Sequence, residues 1–193
     1  MKLTDSCVSV PTLIIVSGLP ATGKSTLARH LATHFALPLM TKDMMKETLY
    51  DVLGYADLSH SRRLGQACML LLYQFAEAVL RTEHSCVIEG TFHPALSLPD
   101  LLRLQQHCPF VPLEIRCLAE PSVLVERWKR RRASGERHPG HLEHLVGEEV
   151  CYPRKEEQAI PLALNGHVIQ LDTTTFETID YERLLLHIRN LLS

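Results

Sequence analysis

Gly18-Leu19-Pro20-Ala21-Thr22-Gly23-Lys24-Ser25, followed by Thr26, fits the phosphate-loop pattern G-x-x-x-x-G-K-[ST]. The residues on either side supply the context that the pattern needs. Thr12-Leu13-Ile14-Ile15-Val16 is an apolar, β-branched run that reads as a buried strand. Leu27, Ala28, Leu31, Ala32 and Phe35 then recur at helical spacing. Gly18 and Gly23 tolerate backbone angles closed to other residues, so the loop can curl its N–H groups inward. A helix opening near Lys24 adds free N–H donors and the positive end of its dipole. Lys24 is expected to reach the β- and γ-phosphates of a nucleotide, and the Ser25 hydroxyl to ligate Mg²⁺. Pro20, Ala21, Thr22 and Thr26 belong to the same binding loop.

Beyond the loop, short apolar runs alternate with helical stretches. Strands are expected at Leu37–Met40, Ser85–Ile88, Phe110–Leu118 and His167–Leu171. Helices are expected from Thr41 to Gly54 and from Ser59 to Arg81. Others should run from Pro94 to His107, from Pro121 through the basic run Lys129-Arg130-Arg131-Arg132, and from Thr178 to Leu192. Met44, Met45, Leu49 and Val52 read as the apolar positions of the second helix. Leu64, Ala67, Cys68, Leu71, Leu72, Phe75 and Val79 read as the core stripe of the third. Residues 1–10 read as a lead-in. Five strands alternating with helices imply an α/β fold, a five-stranded parallel sheet with helices on both faces. Ligands of such sheets sit at the carboxyl ends of the strands. There the phosphate loop is joined by Asp43, Glu89 and the run from Asp172 to Thr174.

The 193 residues fit one domain, with a hydrophobic fraction of 46% and a formal net charge of −2. That balance gives no general attraction to nucleic acid or to an acidic membrane. Cys7, Cys68, Cys86, Cys108, Cys117 and Cys151 form no C-x-x-C pair and read as reduced, packed thiols of a cytoplasmic protein. Asp5 and Pro11 interrupt the N-terminus before any signal-like run, and no segment has the length for a membrane span. N-K-x-D, which a GTPase would carry, does not occur.

The loop, Lys42-Asp43, Val87-Ile88-Glu89-Gly90-Thr91-Phe92, and the stretch from Glu126-Arg127 through Arg131 to Arg137-His138-Pro139-Gly140-His141 together resemble a known group. It is that of the small P-loop kinases related to zeta toxins, chloramphenicol phosphotransferase and the kinase domain of polynucleotide kinase. The resemblance spans residues 12 to about 174. It departs at Glu89, where an Asp is common. It implies a nucleoside-monophosphate-kinase-like fold, ATP with Mg²⁺, and phosphorylation of an acceptor hydroxyl. It does not supply the acceptor.

On these grounds Lys24, Asp43, Arg127 and Arg131 are the candidate catalytic residues. Asp43 would accept the acceptor's proton; its alternative role is a helix N-cap. Arg127 and Arg131, four apart on one helix face, would spread transition-state charge. Ser25 and Glu89 are the candidate metal ligands. Thr173 is expected near the adenine. Residues 134–147 read as a lid that excludes water. His138, His141 and His144 invite a zinc reading, but Pro139 and Gly140 break the helix that would present them. A small-molecule acceptor is favoured over nucleic acid, because only 6% of residues are aromatic and the single basic run is well placed to serve ATP. The alternatives are a polynucleotide 5′-hydroxyl kinase and a non-catalytic ATP-gated binding module.

Overall fold

The structure is a computed structural model that describes residues 10–192. The expected lead-in therefore lies, but for Val10, outside the described residues, as do Cys7 and the side chain of Cys151. Strands β1 (Thr12–Gly18), β2 (Leu39–Thr41), β3 (Cys86–Gly90), β4 (Val111–Leu118) and β5 (His167–Asp172) form one sheet in the order β2-β3-β1-β4-β5. Every pairing is parallel. The helices are α1 (Lys24–Phe35), α2 (Lys42–Leu53), α3 (Leu58–Leu80), α4 (Pro94–His107), α5 (Pro121–Ser134), the short α6 (Lys155–Gln158) and α7 (Tyr181–Leu192).

The two faces of β1 divide the core. Leu13 and Ile15 pack on α3 and α4 through Leu72, Ala76, Leu101 and Leu104. Ile14 and Val16 pack on α1 and α7 through Leu27, Leu31, Leu184 and Ile188. Alternating side chains that are all apolar are what a parallel sheet covered on both faces requires. Pro94 and Pro121 each open a helix, where the missing N–H costs nothing. Gly54 and Gly135, both at positive φ, close α2 and α5.

Three expectations are corrected here. The buried face of α3 runs through Ser61, Gly65, Cys68, Leu72, Ala76 and Leu80, so the core stripe is rotated and Leu71 is exposed. The buried residue of α2 is Tyr50, while Met44 and Val52 are exposed. And β4, read as an apolar strand, carries a buried ion pair. Arg116 donates to Glu114 at 2.7 Å and to the Gln158 carbonyl at 2.8 Å, and Glu114 accepts from the Leu162 N–H at 2.9 Å. Gln158 in turn accepts from the Ala119 N–H and donates to the Ala119 and Pro153 carbonyls. This network ties the irregular stretch before β5 to the sheet.

Cys68, Cys86, Cys108 and Cys117 are free and buried, and burial pushes the Cys86 and Cys117 thiols up to about 12, which makes them inert. Among the described residues no helix is long and apolar enough to cross a membrane.

Candidate active site

The register aligns Glu89 with Val16 on one side and Thr41 on the other. The carboxyl ends of β1, β2 and β3 therefore meet beside the glycine-rich loop. Gly18 leaves no room for a side chain: a Cβ there would stand 2.7 Å from both the Cys117 carbonyl and Thr22 Oγ1. Thr22 Oγ1 donates to the Leu19 carbonyl at 2.9 Å and closes the turn. Gly23 takes φ 83° and hands the chain to α1. The N–H groups of Gly23, Lys24 and Ser25 have no acceptor among the described residues. They sit at the start of a twelve-residue helix, so the loop offers donors and a positive dipole end to an anion.

Lys24 Nζ lies 3.7 Å from Glu89 Oε1, and Ser25 Oγ donates to Glu89 Oε2 at 3.1 Å. Glu89 is almost wholly buried. Burial, with Asp43 nearby, pushes its proton affinity up, against the pull of Lys24 and Ser25. The hydroxyl and carboxylate expected to hold a metal thus stand together.

Asp43 is not the cap of α2. Thr41 takes that place, its Oγ1 accepting from the Met44 N–H at 3.1 Å. The Asp43 carboxylate is left for another partner, and Arg137 NH2 donates to it at 2.9 Å. Burial alone would raise its proton affinity; Arg137, Lys24 and His141 outweigh this and hold the carboxyl at about 2.

Arg137 heads a larger set of pairs that sequence reasoning missed. His141 Nε2 lies 2.8 Å from Glu47 Oε1, and His138 Nε2 3.0 Å from Asp51 Oδ1. Asp43, Glu47 and Asp51 are spaced four apart, so they form one acidic stripe along α2. The segment after α5 lays Arg137, His141 and His138 on that stripe. Tyr50 anchors it: the ring stacks on His138 and meets His141 edge-on. The ring also presses so near Gly140 that a Cβ there would stand 2.5 Å from it. The i, i+4 acid repeat was the available signal, and it reads like any solvated helix face until its partners are known.

Both candidate arginines are engaged by protein partners. Arg127 is held by the loop after β5. Its NH1 and NH2 donate to the Thr173 and Thr174 carbonyls at 2.8 and 2.9 Å, and the guanidinium lies 4.0 Å over the Phe176 ring. Phe176 also crowds Gly23, where a Cβ would stand 2.6 Å from the ring. Thr173 is buried with its hydroxyl donated to the Leu118 carbonyl, so it has no hydroxyl hydrogen to offer adenine. What this loop presents beside the P-loop is Phe176. Arg131 NH2 lies 2.5 Å from Glu143 Oε1, and Arg137 Nε 3.0 Å from the same oxygen.

His141 gives the arrangement a pH dependence. Burial lowers its proton affinity from the ordinary 6.5, and Arg137 lowers it further, against Asp43 and Glu47. The neutral ring fits its partners, with Nδ1 accepting from Arg137 NH2 at 3.2 Å and Nε2–H donating to Glu47. A group whose folded pKa is depressed binds fewer protons folded than unfolded. Its stabilising contribution is therefore complete above 6.5 and is lost as pH falls below that value. Thermal melts from pH ~8 to ~5 should fall more steeply in the wild type than in His141→Gln. Parallel curves would contradict this account of the ring.

Comparison with known proteins places the chain. A family model described as an AAA domain matches residues 13–147, well over half of it. The crystal structure of a candidate kinase of Chloroflexus aurantiacus is 39% identical, covers 96% of this chain and 100% of its own, and superimposes with a TM-score of 0.89. A gluconokinase of Sinorhizobium meliloti 1021 is 15% identical, with coverages of 94% and 95% and a TM-score of 0.53. A shikimate kinase of Bacteroides thetaiotaomicron is 14% identical, with coverages of 94% and 98% and a TM-score of 0.51. These last two show the shared fold alone. An uncharacterized protein of Mycobacterium tuberculosis H37Rv is 29% identical over 122 residues, 60% of this chain. The chain spans about a quarter of the length of the curated relatives it matches, 24% of each. The chain belongs to this AAA-domain family and is one of the small P-loop kinase-like proteins.

Proposed function

We propose that the protein is a phosphotransferase that moves the γ-phosphate of ATP to a hydroxyl of a small molecule. One observation carries the reading. A phosphate loop with unpartnered N–H groups has near its Lys24 a carboxylate, Asp43, that is released from helix capping and whose chain neighbour Lys42 lines a cavity of about 660 Å³. That volume suits a small ligand.

Each residue then has a task. The loop N–H groups and Lys24 hold the phosphates and draw off their charge. Ser25 and Glu89 fit Mg²⁺, being a hydroxyl and a carboxylate side by side, the hard oxygen donors that this ion takes along with water and phosphate. Bound there, the ion supplies charge neutralisation to the phosphates. Asp43 aligns the acceptor hydroxyl. The acceptor oxygen forms a bond to the γ-phosphorus as the bond to the β-bridging oxygen breaks, ADP leaves, and the hydroxyl proton passes to Asp43 and then to solvent. A carboxyl held at about 2 is a weak base. In a loose transition state its main service is orientation, with the proton lost late. Arg137 and Arg131 supply the positive charge facing the transferring group, in the role expected of Arg127. Arg127 instead holds the Phe176 loop against Gly23. The segment 134–147 acts as the lid, and the acidic stripe of α2 is what it closes on.

The basic run supports a small acceptor over a polynucleotide. Lys129 pairs with Glu148, Arg131 with Glu143, and Arg127 with carbonyls, so much of the run serves internal contacts rather than a phosphate track. The test is transfer of label from γ-labelled ATP to a panel of small hydroxyl compounds, with 5′-hydroxyl oligonucleotides alongside in a salt series. Labelling of at least one small compound is expected. Hydrolysis without transfer would support an ATP-gated module, and oligonucleotide labelling that falls steeply with salt would establish the nucleic-acid reading.

A further inference from the structure

We propose that the acceptor is an anion, a hydroxy compound bearing a carboxylate or a phosphate, and that Lys42 and Lys46 bind its negative group. This rests on the phosphotransferase reading and names the substrate class of the same site.

The cavity lies between α2, α3 and the start of α4, and Lys42 and Lys46 line it. They are four apart on α2, on a different face from the acidic stripe. Both run across the same point of α3. From the position a Cβ would take on Gly65, the Cε of each lysine is 3.7 Å away, as is Lys46 Nζ. The missing side chain at 65 leaves the room in which the two ammonium groups gather.

Their partners are the informative feature. The described residues include five lysines. Lys24 pairs with Glu89, Lys129 with Glu148, and Lys155 with Glu120 and Asp172. Lys42 and Lys46, the two in the cavity, have no carboxylate within ion-pair distance among the described residues. Lys46 Nζ donates to Ser61 Oγ at 3.0 Å and lies 5.4 Å from the centre of the Tyr50 ring. The Lys42 ammonium has no hydrogen bond to any described residue. The nearby carboxylates are engaged elsewhere: Asp43 by Arg137, Glu89 by Lys24 and Ser25, and Asp100 by Arg103.

Two half-buried ammonium groups side by side, with no counter-ion, oppose folding unless a ligand supplies the charge. Burial, and then the neighbouring Lys46, lower the proton affinity of Lys42, against the weaker pull of Asp43. Met69, Tyr73 and Leu96 also line the cavity and give apolar surface for a carbon skeleton. Lys42 directly precedes Asp43. An anion on the lysines therefore sets a short molecule with its hydroxyl near the carboxylate that aligns it. Arg62 also borders the cavity, whereas its neighbour Arg63 is not among the lining residues.

The test compares matched ligands by thermal stabilisation of the full chain. Glycerate and glycerol 3-phosphate are set against glycerol, and gluconate and glucose 6-phosphate against glucose. The two anionic arms distinguish a carboxylate from a phosphate. The anionic members of at least one arm should stabilise the wild type and the neutral parents should not. The effect should vanish in the double variant Lys42→Met, Lys46→Met, which keeps the P-loop intact. For any compound that is phosphorylated, KM for the acceptor should rise about tenfold or more in that variant, with KM for ATP unchanged. If the double variant does not fold, Lys42→Gln alone carries the comparison. Equal stabilisation by the neutral parents would overturn the proposal, as would a panel in which no anion stabilises. So would an anion effect that persists in the variant, which would be capture by the P-loop. Anion binding that depends on the lysines, without label transfer to any compound, would uphold the anion site and count against the phosphotransferase reading instead.

Discussion

On the proposed mechanism, Asp43→Asn is expected to lower the rate of phosphoryl transfer by about a hundredfold or more, the usual scale for a positioned general base, and to leave ATP affinity nearly unchanged. The substitution keeps the shape of the side chain. It removes the charge proposed to align the acceptor hydroxyl and to receive its proton. Thr41, not Asp43, caps α2, so the helix start does not depend on the carboxylate. The P-loop contacts made by Lys24 and Ser25 go to Glu89, so the nucleotide site is not remade either. Single-turnover transfer and ATP titration on the same preparation separate the two effects. An equal fall in affinity and rate would make Asp43 a structural anchor for Arg137 instead.

The second large effect is on stability. Arg116→Met leaves Glu114 buried with the Leu162 N–H as its remaining protein partner. It also strips a donor from the Gln158 carbonyl. Breaking a buried ion pair from one side costs about 3–5 kcal/mol. For a chain of this size that corresponds to a fall in Tm of roughly 10 °C. Converting both partners, Glu114→Leu with Arg116→Met, should recover part of the loss, because an apolar pair leaves no charge unpaired. Denaturant melts of the single and double variants decide it. A single-variant loss below about 1 kcal/mol would mean that water reaches the pair.

Much of the fold was readable from local chemistry. The strand, glycine-rich turn and helix around Lys24, the prolines at 94 and 121, and the glycines at 54 and 135 each act within a few residues of themselves. They set the boundaries of β1, α1, α4 and α5 closely. The site was readable where its members end strands, as Glu89 does. It was not readable where the arrangement depends on distant pairing. Asp43 meets Arg137, and Glu47 meets His141, each 94 residues away. An acidic stripe without its basic partner resembles solvated surface. The partners of Arg127 were not readable either, because a basic helix end looks the same whether it faces phosphate or the carbonyls of a loop 46 residues on. Phe176 escaped notice as a single aromatic in a polar turn. The Glu114–Arg116 pair was hidden because two charged residues in a strand otherwise rich in Val, Leu and Ile give no sign that their shared face is buried.

The central claim is that the Gly18–Ser25 loop binds a nucleoside triphosphate and that the rest of the site is built around it. Thermal stabilisation by Mg-ATP, wild type against Lys24→Ala, tests it most directly. At a hundred times its dissociation constant a ligand stabilises the folded state by about 2.7 kcal/mol. The wild type is expected to show such a shift and Lys24→Ala to lose it while still folding. A wild type that Mg-ATP does not stabilise, or a Lys24→Ala chain stabilised as much as the wild type, would contradict the claim.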